Sequence, residues 1–100
     1  MPKLRLIISE TAINDMSNIF EFIAKDNIVA AQKLIESIEN TFDRIRIFPN
    51  SGFQKASYIK RNIRVAIVEG HYQIIYSATS DIVYIYRVLS GYQDICNELS

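Results

Sequence analysis

The stretch IRVAIVEGHYQIIYSATSDIVYIYRVLS, Ile63 to Ser90, decides the fold of this chain. Its three runs rich in β-branched and aromatic residues are Ile63 to Val68, Tyr72 to Ala78, and Ile82 to Leu89. Such runs are typical of β-strands. The connections Glu69-Gly70-His71 and Thr79-Ser80-Asp81 are short and contain turn-forming residues. Strands joined this tightly predict an antiparallel meander.

The second and third of these strands are apolar or aromatic on both sides of the pleat. An antiparallel sheet with one face in water alternates apolar and polar residues instead. We therefore expect both faces of this sheet to be covered or to bind something.

Two amphipathic helices are predicted ahead of the meander. Ser9 or Thr11 can cap the first helix. The second begins near Val29 and ends before Pro49, because the residue before a proline is pushed out of the helical region. The apolar stripes of the two helices are Ile13, Met16, Phe20 and Ile23, and Ala31, Leu34, Ile38, Phe42 and Ile45. Since only Asp26-Asn27 separates them, the helices should form an antiparallel hairpin.

The two ends of the chain complete the predicted order of elements. Lys3 to Ser9 alternates imperfectly and predicts a first strand. Ile95 and Leu99, four residues apart after Gly91, predict a short terminal helix. We expect one α+β domain over residues 1–100: an N-terminal strand, an antiparallel helical hairpin packed on an antiparallel sheet with a three-strand meander, and a short C-terminal helix.

The composition is that of an ordinary globular domain, with 49% apolar and 22% charged residues. The single cysteine, Cys96, cannot form an internal disulfide, which favours a reducing compartment. No apolar run approaches the length of a membrane span or of a signal-peptide core. We expect a cytoplasmic protein that does not act in a membrane.

The charges are unevenly placed although the formal net charge is zero. The part from Arg44 to Val68, called the basic segment below, contains no acid. Its six bases are Arg44, Arg46, Lys55, Lys60, Arg61 and Arg64. It could steer a polyanion locally, or it could be a solvated loop that contains lysines. Asn50 to Asn62 lacks periodicity, and loops of this length in small domains are often functional.

The residues offer little conventional enzyme chemistry. The chain has no glycine-rich phosphate loop, no cysteine or histidine pair at metal spacing, and one histidine, His71. We therefore expect no metal and no organic cofactor. A metal-free ribonuclease could use Arg64, Arg87 and Tyr92 for charge stabilisation and proton transfer. The structural alternative is that Arg87 pairs with a helix carboxylate and packs its stem over apolar neighbours.

Several short patterns, spread over most of the chain, resemble one known family. They are IFEFIAKDNIVAA (19–31), FPNSG (48–52), NIR (62–64), YQIIY (72–76) and YRVLSGYQD (86–94). Their order resembles that of the ParE/RelE superfamily, the toxins of type II toxin-antitoxin systems, and in particular its ParE branch. Many ParE-like chains have Arg-Val-Leu-His-Gly-Arg-Arg-Asp where this chain has Ser90, Tyr92 and Gln93 in place of the histidine and two arginines.

The resemblance implies a small cytoplasmic toxin of the plasmid-stabilisation type that a cognate antitoxin keeps inactive. ParE-like members inhibit DNA gyrase without catalysis, whereas RelE-like members are ribosome-dependent mRNA endonucleases. A third alternative is a degenerate, non-toxic module that still binds an antitoxin. The neutral net charge favours gyrase over a ribosomal RNA site, because phosphate binding depends on cationic side chains.

The resemblance and the charge pattern together give two predicted surfaces. The target-facing residues are Lys55, Lys60, Arg61, Arg64, Arg87 and Tyr92; under the nuclease alternative Arg64, Arg87 and Tyr92 are catalytic, and otherwise no residue is. The residues that bind the antitoxin are Met16, Phe20, Ile23, Leu34 and Ile38. We expect an acidic or amphipathic antitoxin with apolar anchors along the hairpin and charged groups toward the basic segment.

Overall fold

A computed structural model describes residues 3–54 and 62–91 of the chain. Its elements are β1 (Arg5–Ile8), α1 (Glu10–Ala24), α2 (Ile28–Ile47), β2 (Arg64–Val68), β3 (Tyr72–Ala78) and β4 (Ile82–Ser90). The predicted α+β class, helical hairpin and meander are confirmed. The predicted C-terminal helix lies outside the described residues.

The four strands form one sheet in the order β1-β4-β3-β2. The β2–β3 and β3–β4 pairs are antiparallel, as expected for the meander. β1 instead pairs with β4 in parallel, with Leu6 opposite Val83. The complete sheet is therefore mixed. The long connection that a parallel pair requires is the chain between β1 and β4, which contains the helical hairpin, β2 and β3.

The turn between β2 and β3 has a geometry that suits a tight hairpin. Glu69 and Gly70 both have positive φ angles, 53° and 73°. The His71 N–H donates to the Val68 carbonyl at 3.2 Å. Positive φ at both central residues is what a type I′ turn requires, and the twist of such a turn matches that of the flanking strands.

The helical hairpin begins and turns at two capping side chains. The hydroxyl of Ser9 accepts a hydrogen bond from the Ala12 N–H at the start of α1. The side-chain oxygen of Asn27 does the same for the Ala30 N–H at the start of α2. Both caps provide acceptors for helix N–H groups that have no partner within the helix.

The hairpin and the sheet enclose the main core. Its members include Ile38 and Ile45 of α2 together with Ile74, Val83 and Ile85 of the sheet. A second cluster lies on the other face and consists of Ile63, Val65, Ile75 and Leu89, with Tyr86 packed against them. The expectation that both faces of the sheet are covered is confirmed at these positions.

Candidate functional site

α1 takes the place of a strand beside the end of β4. β1 pairs only with residues 82–85 of β4, so the following residues have no strand on that side. There the Ser9 hydroxyl donates to the Tyr86 carbonyl at 2.8 Å, and the Asp15 carboxylate accepts from the Val88 N–H at 3.1 Å. These side chains provide partners for backbone groups that an open strand edge would leave to solvent.

Asp15 also binds the guanidinium group of Arg87. Arg87 Nε lies 2.7 Å from Oδ2 of Asp15, and Arg87 Nη2 lies 3.0 Å from Oδ1. The two side chains are 14% and 19% exposed. Such a two-point contact is the strong geometry for an arginine and a carboxylate. The structural alternative for Arg87, a pair with a helix carboxylate, is therefore the arrangement observed.

A bulge in β4 lies directly before Arg87. Ile75 of β3 is opposite Arg87, whereas the next residue, Tyr76, is opposite Ile85. Tyr86 is therefore the extra residue in β4. Because a bulge bends a strand and re-aims the side chains near it, it contributes to the direction in which Arg87 leaves the sheet.

Arg64 is bound to the loop that follows α2. Its Nη1 donates to the carbonyl of Gly52 at 2.8 Å and to that of Asn50 at 3.4 Å. In the same loop, the buried hydroxyl of Tyr76 donates to the Pro49 carbonyl and accepts from the Gly52 N–H. A Cβ atom on Gly52 would lie 2.6 Å from that hydroxyl, so the close packing requires glycine. Together these contacts fix the chain up to Gly52.

The structure places only part of the predicted target-facing set. Arg64 and Arg87 lie on the two strands that flank β3, opposite its neighbouring residues Tyr76 and Ile75. Their guanidinium groups bind different parts of the chain, the loop after α2 and the Asp15 carboxylate. Lys55, Lys60, Arg61 and Tyr92 lie outside the described residues.

The predicted antitoxin-binding set requires a correction. Leu34 and Ile38 are 3% and 0% exposed and belong to the main core. They have no surface to offer to a partner in this fold, because their side of α2 faces the sheet. Met16, Phe20 and Ile23 of α1 are partly exposed.

Two apolar grooves flank α1. The first has a volume of about 390 Å³ and lies between α1, α2 and β1; it is lined chiefly by Ile8, Ile13, Met16, Phe20, Glu21 and Ile35. The second has a volume of about 350 Å³ and lies on α1 and the adjoining ends of β3 and β4; it is lined by Asn18, Ile19, Phe22, Ile23, Tyr72 and Ser90. α1 therefore forms a ridge between two clefts, called the α1 ridge below.

The exposed apolar residues of the α1 ridge are absent from the predicted set. Phe22 is 76% exposed and Ile13 is 50% exposed. The sequence contained a signal for both: Ile13 belongs to the predicted stripe of this helix, and Ile19 and Phe22 adjoin the stripe and widen it beyond what one core contact needs. Surface apolar residues are ordinary when scattered, but a contiguous set beside a cleft is typical of an interaction site.

The charge of α1 is one-sided. The helix contains Glu10, Asp15 and Glu21 and no lysine or arginine. Arg87 compensates the charge of Asp15. Within residues 3–54 and 62–91, no cation forms an ion pair with Glu21, which lines the first groove. Glu21 therefore places an exposed carboxylate beside the apolar side chains of the first groove.

None of the described helices is both long and apolar enough to cross a membrane. Residues 6–95 match the family described as "ParE toxin of type II toxin-antitoxin system, parDE". The fold is similar to a solved structure, "Chromosomal ParDE TA system from P. aeruginosa", with a TM-score of 0.71 and 16% identity over 88% of this chain and 96% of that one. No curated protein sequence matches the chain significantly. Because the family match spans most of its length, this chain belongs to the ParE toxins of type II toxin-antitoxin systems.

Proposed function

We propose that this ParE toxin inhibits DNA gyrase in the bacterial cytoplasm and is neutralised by a cognate antitoxin. The observation that carries the proposal is the family match over residues 6–95. The formal net charge of zero supports a protein target, because a site for ribosomal RNA would draw on a surplus of cations.

The proposed target surface includes Lys55, Lys60 and Arg61 of the basic segment. The described chain on either side of them is firmly held. Before them, Gly52 is fixed by the Tyr76 hydroxyl and by Arg64. After them, Ile63 is buried in the second cluster. A cationic stretch between two fixed ends can present its charges to a partner at a lower ordering cost than a free tail.

Arg64, Arg87 and Tyr92 complete the proposed target surface. Arg64 contributes by holding the start of the loop that leads to the lysines. Arg87, bound to Asp15, stabilises the end of β4, and Tyr92 follows that end in the sequence. We propose that the two arginines act mainly by positioning neighbouring residues, since both guanidinium groups bind the chain's own oxygens.

The proposed antitoxin surface is the α1 ridge, with Met16, Phe20 and Ile23 from the predicted set and Ile13 and Phe22 added. These residues line grooves that are open to solvent.

The deciding experiment adds purified protein to DNA gyrase and supercoiled plasmid. Cleaved DNA should accumulate, and a Lys60→Glu/Arg61→Glu variant should require a much higher concentration for the same effect. Lys33→Glu is the matched control, because Lys33 is an exposed base on α2 outside the basic segment. Absence of cleaved DNA at a large molar excess of the unchanged protein would reject gyrase as the target.

Two further assays separate the alternatives. Primer extension on translated mRNA should show no new cut sites; new cuts together with an inert gyrase assay would assign ribosome-dependent cleavage instead. Induced expression in a bacterium should arrest growth. Normal growth of cells that contain the folded protein, together with intact antitoxin binding, would identify it as a non-toxic, antitoxin-binding module.

A further inference from the structure

We propose that the partner segment seated on the α1 ridge is amphipathic and basic: its apolar side chains enter the groove between α1 and α2, and a lysine or arginine beside them pairs with Glu21. This inference rests on the proposed toxin–antitoxin function and specifies the chemistry of that contact. It adds a basic side chain to the apolar anchors that were expected along the hairpin.

The groove suits apolar side chains carried by a partner chain. At about 390 Å³ its volume is in the lower part of the range of ligand clefts. It is open along α1, and its walls are the apolar side chains of Ile8, Ile13, Met16, Phe20 and Ile35. A helix that presents apolar residues at i, i+3 and i+4 matches such an open, apolar cleft.

Charge decides which amphipathic segment fits. Glu21 lines the groove and has no ion-pair partner among the described residues, whereas Arg87 already binds Asp15. A partner that covers the groove removes water around Glu21, which strengthens an ion pair with a cation and makes an opposing carboxylate costly. The formal net charge of the protein is zero, so the protein as a whole attracts neither sign of charge strongly. The preference for a cationic partner side chain therefore depends on the local charge of α1.

The basic segment would require the opposite charge. From Arg44 to Val68 the chain contains six bases and no acid, so an antitoxin that also reaches this part needs acidic residues there. The two surfaces together predict an antitoxin with a basic, apolar segment for the α1 ridge and a separate acidic segment. This charge pattern favours one orientation of the antitoxin over its reverse.

The test uses two synthetic helical peptides with the same leucine stripe. Lysines flank the stripe in one peptide, and glutamates replace them in the other. Fluorescence anisotropy with the full-length protein should show roughly two- to fivefold tighter binding of the lysine peptide, which is the range that an exposed ion pair supports. The methyl NMR signals of Ile13 and Met16 should shift on binding. Equal affinity for both peptides, or shifts confined to other methyl groups, would overturn the proposal.

Two pairs of variants locate the contact. Glu21→Lys should reverse the preference in favour of the glutamate peptide, whereas Glu39→Lys, an exposed acid of α2 outside both grooves, should leave it unchanged. Ile13→Ser should weaken the binding of both peptides equally. Val29→Ser should leave the binding of both unchanged, because Val29 is an exposed apolar residue outside the grooves. An unchanged preference in folded Glu21→Lys protein would contradict the proposal.

The assay contains no gyrase, so failure to inhibit gyrase would reject the proposed target without affecting this result.

Discussion

Asp15 and Arg87 join α1 to β4 although 72 positions separate them in the sequence. The carboxylate accepts two hydrogen bonds from the guanidinium group and a third from the Val88 N–H. We expect Asp15→Ala to lower the free energy of unfolding by about 2–4 kcal/mol, because it removes the acceptor of three hydrogen bonds, two from a largely buried guanidinium group and one from a backbone N–H. Urea denaturation measures this loss.

Asp43→Ala is the control for the Asp15 variant. Asp43 also contacts cations, Lys3 and Arg46, but at 3.6 Å and with its side chain 52% exposed. Its removal should cost less than about 1 kcal/mol. Equal losses in the two variants would show that the Asp15–Arg87 pair contributes no more to stability than a surface ion pair.

Tyr76→Phe should destabilise the protein by about 1–3 kcal/mol, since it removes the partner of two loop groups, the Pro49 carbonyl and the Gly52 N–H. Thermal unfolding followed by circular dichroism measures the change. Tyr84→Phe is the matched variant, because the Tyr84 hydroxyl forms no hydrogen bond within the described residues. That variant should stay within about 0.5 kcal/mol of the unchanged protein; a comparable loss there would contradict the role given to the Tyr76 hydroxyl.

Glu69→Asn should stabilise the hairpin between β2 and β3. Asparagine tolerates the positive φ of 53° better than glutamate, and Asn-Gly is the preferred pair for a type I′ turn. The gain should be about 0.5–1 kcal/mol in chemical denaturation. Glu69 also accepts an exposed hydrogen bond from the Ser37 hydroxyl. Ser37→Ala therefore measures how much that bond contributes to the free energy of unfolding. A loss of stability in Glu69→Asn larger than that in Ser37→Ala would contradict the turn argument.

Ser9→Ala should cost more stability than Asn27→Ala, although each removes one helix cap. Loss of a cap typically costs about 1 kcal/mol. The Ser9 hydroxyl additionally donates to the Tyr86 carbonyl at the edge of β4, so its removal should approach about 2 kcal/mol. Hydrogen exchange should show faster opening of the first turn of α1 in Ser9→Ala. If the two variants were equally stable, the bond to β4 would contribute nothing measurable.

The elements with strong local patterns could be predicted from the sequence. The two helices have long apolar stripes, and the meander has short turns with characteristic residues, so each follows from nearby residues alone. The parallel pairing of β1 with β4 cannot be predicted from nearby residues, because a short strand of four residues contains no signal for its distant neighbour. For the same reason, the sequence indicates only that some helix carboxylate could bind Arg87, because Asp15 lies 72 positions away.

The predicted interaction surface illustrates a second limit. Met16 and Ile38 both lie on apolar helical stripes, and a stripe does not reveal whether it faces a sheet or solvent. In the fold, Ile38 is buried against the sheet and Met16 borders an open groove. Whether a stripe faces the sheet or solvent depends on how the helical hairpin packs on the sheet. That packing depends on the whole chain.

The position of β4 in the sheet has a consequence for synthesis. It is the last strand of the described chain, yet it lies between β1 and β3. The first strand therefore has no neighbour to pair with until the ribosome has made the chain through β4. At about 5–20 residues per second, a nascent chain remains without its complete sheet for several seconds after β1 has been made.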